Sequence, residues 1–289
     1  MIKPVLQDRA LWDDVYSAAI NQSSTLHIWW LGQSGFLMQH KGTRVLADPY
    51  LSDALTKKYA ATDKPHLRMS ERVVDPVFLR EISVVTASHA HTDHLDGETL
   101  HALRKHHLDT QSGWVPRFVA PRAIAKLAAE RWGDEPDELL DAGESYGSDD
   151  FRITAIPSAH ETVDRTPRDE CLYLGYVFQF EDFTIYHSGD TVLYEGLVDR
   201  LRRFTIDVAL LPINGRAPER RVAGNLWGRE AAWLAKEIGA GVVIPCHYDM
   251  FEFNTADPYE QFVPECERIG QPYRVLKLGE RFTYPEKSS

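Results

Sequence analysis

Ser88-His89-Ala90-His91-Thr92-Asp93-His94-Leu95-Asp96 places His89, His91, Asp93 and His94 within six consecutive residues. Neutral imidazoles and a carboxylate at that density suit a borderline divalent ion such as zinc or manganese. Composition alone produces such a string in on the order of two such chains per thousand, so chance explains it poorly. Just before it, Ile82-Ser83-Val84-Val85-Thr86-Ala87 is apolar and β-branched, as a buried strand would be. Just after it, Gly97 to His107 carries Leu100, Leu103, Arg104 and His107 at helical spacing. Strand, ligand-rich loop, helix is the order in which α/β proteins place chemistry at the carboxyl end of a strand.

The whole chain agrees with that class. Its 289 residues, 43% hydrophobic and 26% charged, suffice for a large core. We read one domain spanning 1–289, built of two halves at about 1–135 and 136–289. A net charge of −11 excludes a broad nucleic-acid-binding face, which needs a basic surface. Without an eighteen-residue apolar run, and with Met1-Ile2-Lys3-Pro4 leading into a polar segment, a cytoplasmic protein with no membrane partner is expected. Cys171, Cys246 and Cys266 are odd in number and far apart, which predicts free thiols.

Taken in order, residues 8–20 form an amphipathic helix through Leu11, Trp12, Val15, Tyr16 and Ala19. A meander comes next: Thr25–Leu31, a turn at Gly32-Gln33-Ser34-Gly35, Phe36–Met38, and Arg44–Ala47. Asp48 is either a turn former or a carboxylate that orients a metal-bound histidine. Residues 51–76 are irregular and locally basic, either a lid over an anionic substrate, with Lys64 and Arg68 as contacts, or a solvated excursion. Trp114 to Ala120 reads as a strand, and Pro121 opens a helix that Gly133 stops. Residues 133–150 are turn-rich and acidic.

The second half is predicted to hold strands at Phe151–Ile156, Tyr173–Phe180, Phe183–Tyr186, Ile206–Pro212 and Val242–Pro245. Tyr273–Leu278 and Arg281–Tyr284 are the last strands expected. Helices are predicted at Glu230–Ile238, and near Pro258–Ile269 with an interruption at Pro264. His160, Asp190 and His247 each lie just after a predicted strand, where loops deliver side chains to one edge of a sheet.

The ordered set His89-x-His91-x-Asp93-His94, then His160, Asp190 and His247, resembles the metallo-β-lactamase superfamily of metal-dependent hydrolases. The resemblance implies an α/β fold, an αβ/βα sandwich of two mixed β-sheets flanked by helices. It implies two divalent ions, Mn2+ or Zn2+. His89, His91 and His160 would hold the first, Asp93, His94 and His247 the second, and Asp190 would bridge them. His91 stands where flavin-linked oxygen-reducing members carry Glu, which turns expectation away from redox chemistry.

Several stretches look like the L-ascorbate-6-phosphate lactonase branch. They are Trp29-Trp30-Leu31-Gly32-Gln33-Ser34-Gly35, His187-Ser188-Gly189-Asp190, Ile206-Asp207-Val208-Ala209-Leu210 and Val242 through Asp249. The expected activity is therefore opening of a phosphorylated, sugar-derived lactone by a metal-activated hydroxide. Phosphodiester hydrolysis of the phospholipase D type is the alternative, because that branch shares the Trp-Leu-Gly-like start and the Asp-His-Leu-Asp end of the metal loop. A third reading, metals that only stabilise a binding module, fits an open, water-bridged ligand set less well.

Asp93, Asp190 and His187 are the expected catalytic groups, His187 as either a substrate or ligand-orienting contact or a structural histidine. A small anionic substrate would be met by Arg216, Asn214, Lys64 and Arg68, with Arg216 first because its fork matches phosphate. Trp227 and Trp233 allow a homo-oligomeric interface.

Overall fold

The structure, a computed structural model, describes residues 1–20, 24–109 and 115–285. It has two compact units. The first takes Met1–Ala120, Ile124–Leu139 and the residues from Leu276 on; the second takes Pro121–Ala123 and Leu140–Val275. Each unit carries one mixed β-sheet with helices, the fold class that the sequence predicts. Among the described residues, no helix is long and apolar enough to cross a membrane.

The first unit opens with α1 (Asp8–Ile20), which buries Leu11, Trp12, Val15 and Ala18 along one stripe. Strands β1 (Leu26–Gly32), β2 (Gly35–His40) and β3 (Thr43–Ala47) form the antiparallel meander. Every residue of β1 is buried, so its sequence is a continuous apolar run rather than an alternation, as a strand covered on both faces requires. Helix α2 (Ala54–Tyr59) falls inside the segment expected to be irregular. Strands β4 (Val84–Thr86) and, after α3 (Gly97–Asp109), β5 (Arg117–Pro121) continue the sheet parallel to β3.

Pro121 is therefore the last residue of a strand rather than the first of a helix. The register that sets Val85 against Phe118 and Thr86 against Val119 carries the chain on to it. A short 3-10 turn, Arg122–Ile124, then leads into α4 (Ala125–Trp132). Gly133 stops α4 as expected, with φ +80 and its N–H on the Ala129 carbonyl. Trp114, the expected start of β5, lies outside the described residues.

The edges of this sheet are β6 (Glu138–Leu140) and the C-terminal strand Arg281–Tyr284, which pairs antiparallel with β1. The end of the chain thus returns to the first unit and covers an exposed strand edge. A division into two consecutive halves does not include this return. Tyr273–Leu278 is not the strand expected: only Tyr273 makes an isolated bridge, to Val243.

The second sheet runs in the order β12-β11-β10-β9-β8-β7. Its strands are β7 (Ser145–Gly147), β8 (Phe151–Pro157), β9 (Leu174–Phe180), β10 (Phe183–His187), β11 (Val208–Pro212) and β12 (Val242–Cys246). From β7 to β10 the pairing is antiparallel, and β10, β11 and β12 are parallel. Hence β8, β10, β11 and β12 all point their carboxyl ends the same way. Helices α5 (Leu197–Leu201), α6 (Gly228–Glu237) and α7 (Phe262–Ile269) complete the unit. Pro264 does not interrupt α7, because it sits in the first turn, where a missing N–H has no intrahelical acceptor to lose. The three-residue strands β6 and β7 escape a sequence reading because so few residues show no period.

Gly175 in this sheet is required by close approach. A Cβ on Gly175 of β9 would lie 2.8 Å from the Ser188 carbonyl oxygen and 2.9 Å from that of His187. Both are rigid backbone atoms at the end of β10. Gly175→Ala is therefore expected to destabilise the protein by about 1–3 kcal/mol in a thermal melt. An unchanged melt would show that the end of β10 yields freely.

Candidate metal centre

Asp48 and the metal loop meet in the first unit because β3 and β4 run parallel with Ala47 opposite Thr86. Asp48, with φ +43, turns left-handed directly after β3, a conformation Asp tolerates better than most residues. Its N–H bonds the Thr86 carbonyl at 3.0 Å. Its buried carboxylate accepts from Ser88 N at 2.8 Å, Ser88 Oγ at 2.5 Å and His94 Nδ1 at 2.6 Å. Asp48 thus fills both roles left open for it, turning the chain after β3 and orienting His94 with its carboxylate.

These bonds decide which ring nitrogens can face an ion. Ser88 has one hydroxyl proton, and it goes to Asp48. Ser88 Oγ, 3.0 Å from His89 Nδ1, therefore accepts from that nitrogen. His94 Nδ1 likewise donates to Asp48. Both rings are held as the tautomer with Nε2 as the lone-pair donor, the form a metal needs.

His91 is exposed and its ring centroid lies 4.6 Å from that of His89, with ligand atoms of the two within 4.8 Å. Asp93 is half-buried, with Oδ2 3.8 Å from His94 Nε2. Gln33, in the left-handed turn between β1 and β2, donates its Nε2 to Asp93 Oδ2 at 2.8 Å. The sequence reading takes Gln33 as a turn residue and misses this contact. A polar side chain set between Gly32 and Gly35 is the signal available for it.

The loop is braced from beneath. Asp96 caps α3, accepting from Glu98 N at 3.2 Å and Thr99 Oγ1 at 2.5 Å, and takes Ser52 Oγ at 2.9 Å. Burial raises its pKa. Arg131 of α4 donates to the carbonyls of Ala90 and Leu95 at 3.1 and 2.6 Å.

In the second unit, the parallel strand ends bring His160, Asp190 and His247 together. Asp190 Oδ2 lies 3.5 Å from His160 Nε2 and 3.3 Å from His247 Nε2, and all three side chains are buried. His160 Nδ1 bonds the Gly224 carbonyl at 2.8 Å, which can only accept, so Nδ1 carries the proton and Nε2 the lone pair. The ring of Tyr173 stands edge-on to His160 with centroids 5.4 Å apart. His187, at the buried end of β10, takes the Gly189 N–H on Nδ1 at 3.3 Å and so shapes the turn that carries Asp190.

The residues expected to meet an anion all make contacts within the protein. Arg68 is turned inward: it donates to the Ser52 carbonyl at 2.7 Å, lies 3.6 Å from Asp53 and covers the Tyr50 ring. Arg216 forms a two-pronged pair with Glu230, both bonds 2.7 Å, and donates to the Asn225 carbonyl at 3.0 Å. Asn214 is buried between Asn225 and Asn254, 3.0 Å from each partner. Lys64 is half-buried, with its backbone N–H on Thr62 Oγ1 at 3.3 Å.

Each unit thus offers imidazole and carboxylate donors, with the tautomers of His89, His94 and His160 set by hydrogen bonds, a fit to a divalent ion of the zinc or manganese kind. A family model described as "Beta-lactamase superfamily domain" matches residues 27–247. Among curated relatives, a UPF0173 metal-dependent hydrolase of Opitutus terrae is 29% identical, covering 88% of this chain and 98% of its own. A probable L-ascorbate-6-phosphate lactonase, UlaG, of Escherichia coli is 27% identical, covering 90% of this chain and 81% of its own. Igni18, a metallo hydrolase of the archaeon Ignicoccus hospitalis, has a solved structure that matches with a TM-score of 0.63 at 23% identity. That match covers 91% of this chain and 100% of the other, and it is a likeness of fold.

Proposed function

The chain belongs to the metallo-β-lactamase superfamily of metal-dependent hydrolases, and from that premise we propose that it is a lactonase opening a phosphorylated, sugar-derived lactone such as L-ascorbate 6-phosphate. The likeness to the lactonase over 90% of the chain carries this reading. The proposed ligands are His89, His91 and His160 for one ion, Asp93, His94 and His247 for a second, and Asp190 for both. Manganese or zinc suits these side chains. Bound there, the ions would supply Lewis acidity and lower the pKa of water toward neutrality.

The protein's own groups then have defined tasks. Water oxygen adds to the lactone carbonyl carbon as one of its protons passes to Asp93, the ring C–O bond breaks, and the leaving oxygen, still tethered to the product, takes that proton back from Asp93. Asp93, steadied at Oδ2 by Gln33, is the carboxylate suited to receive the proton that water gives up. His187 keeps the Gly189–Asp190 turn in place. Lys64, in the segment after α2, is the cation assigned to the substrate's anionic group.

Protein reconstituted separately with manganese and with zinc, and offered L-ascorbate 6-phosphate, other sugar lactones and a generic phosphodiester, tests the reading. Lactone turnover that disappears in His91→Ala is expected. Phosphodiester turnover alone would transfer the protein to the phospholipase D-type branch, and turnover of neither by metal-loaded protein would end both readings.

A further inference from the structure

We infer that Arg216 is a positioning residue for His160, acting through the backbone of Gly224 and Asn225 rather than through substrate. The inference rests on His160 being a metal ligand. Its basis is a chain of short contacts within the second unit. Helix α6 begins at Gly228, and Glu230 in its first turn accepts the Trp227 N–H at 2.9 Å, so this carboxylate is fixed to the helix start. Arg216 locks onto both oxygens of Glu230 and, from the same Nη1, donates to the Asn225 carbonyl. One residue earlier, the Gly224 carbonyl receives the His160 Nδ1 proton.

The segment is gripped on other sides as well. Asn225 N donates to the Gly215 carbonyl at 3.0 Å, Gly215 N to that of Leu226 at 2.9 Å, and Leu226 N to that of Thr191 at 2.8 Å. Thr191 is the neighbour of Asp190, so the ladder that holds Gly224 also touches the strand end carrying a second ligand.

Gly224 is required by this packing. A Cβ there would sit 2.4 Å from the Cβ of Arg216, close to the backbone and unable to swing aside. The stem of Arg216 therefore packs on the segment that its guanidinium holds. Lysine offers one point of attachment where this site uses a planar fork with three acceptors, so Lys is only a partial substitute.

The device sets both the direction and the tautomer of His160. With Gly224 in place, Nδ1 keeps its proton and Nε2 points at Asp190. With the segment loosened, the imidazole can turn or carry its proton on Nε2, and either change costs metal affinity.

Four proteins test this: wild type, Arg216→Met, Arg216→Lys and Gly224→Ala. Three readouts are used: metal affinity by competition with a chelator, long-range proton–nitrogen NMR spectra of the metal-free protein, and kinetics on anionic and neutral lactones. Arg216→Met and Gly224→Ala are expected to weaken metal binding by about tenfold or more, with Arg216→Lys in between. In the metal-free spectra, the Nδ1–H form of His160 should dominate in wild type and be lost in Arg216→Met.

At saturating metal the KM of Arg216→Met should match wild type for both lactones. A KM raised only for the anionic lactone, with metal affinity unchanged, would overturn the inference in favour of a substrate contact. A lowered melting temperature of the metal-free protein with metal affinity and tautomer unchanged would overturn it in favour of a purely structural pair. Affinity and tautomer are read without turnover. An inactive wild type that still shows both effects would therefore refute the lactonase reading and leave this inference standing.

Discussion

Asp190→Ala is expected to lower turnover by on the order of a thousandfold, because the Lewis-acid assistance it would help to hold is worth several kcal/mol and each tenfold in rate is about 1.4 kcal/mol. Asp190 is buried, with Oδ2 3.5 Å from one imidazole nitrogen and 3.3 Å from another. Without an ion, a buried carboxylate is a cost to the fold, since its charge has left water. Metal-free Asp190→Ala should therefore melt at or above the temperature of the metal-free wild type.

With metal the order should reverse. An ion present at a hundredfold excess over its dissociation constant stabilises the folded state by about 2.7 kcal/mol, and the variant should lose most of that gain. Calorimetry with and without manganese reads the difference. If the variant keeps both the metal-induced shift and the turnover, Asp190 is not a ligand.

Asp48 carries the second large effect, although it is not proposed to touch the ion. Its carboxylate accepts three donors, and removing it leaves Ser88 N–H, Ser88 O–H and the His94 Nδ1 proton in a buried site. Asp48→Ala is expected to cost on the order of 3–5 kcal/mol, to which the left-handed backbone at φ +43 adds about 1 for a residue with a plain Cβ.

Asp48→Asn is the more informative change. Asn tolerates the backbone and keeps one acceptor oxygen, but it loses the charge that holds the imidazole proton. Metal affinity should fall by about 10–100-fold in a protein that still folds. Wild-type affinity in Asp48→Asn, together with a wild-type melt in Asp48→Ala, would show that Ser88 alone orients the two histidines.

The parts of this molecule that are legible in its sequence are those whose signal is local. Buried strands announce themselves as apolar runs, so β1, β8 through β12 and the meander are predicted within a residue or two. The metal loop is legible for the same reason, since four donors within six residues need no tertiary information to be noticed. His160, Asp190 and His247 are legible one step less directly: each lies just past a strand, and parallel strands that end together deliver their terminal loops to one edge. The roles of Arg216 and Arg68 are not legible. A guanidinium suits a phosphate and a carboxylate equally well, and its sequence neighbourhood does not say which it meets.

By itself, then, the sequence determined the fold class, the strand ends that matter and a cluster of imidazoles and carboxylates able to hold a metal, because hydrophobic period and donor spacing are properties of neighbours along the chain. Tertiary structure alone decided that Asp48 orients His94, that Gln33 steadies Asp93, that Gly224 holds His160 and that Arg216 faces Glu230. Each of those contacts joins residues between 14 and 64 positions apart. Such partners meet only once strand register and loop path are set. Hydrogen bonds have a reach of about 3 Å, so a small change of register replaces one partner by another.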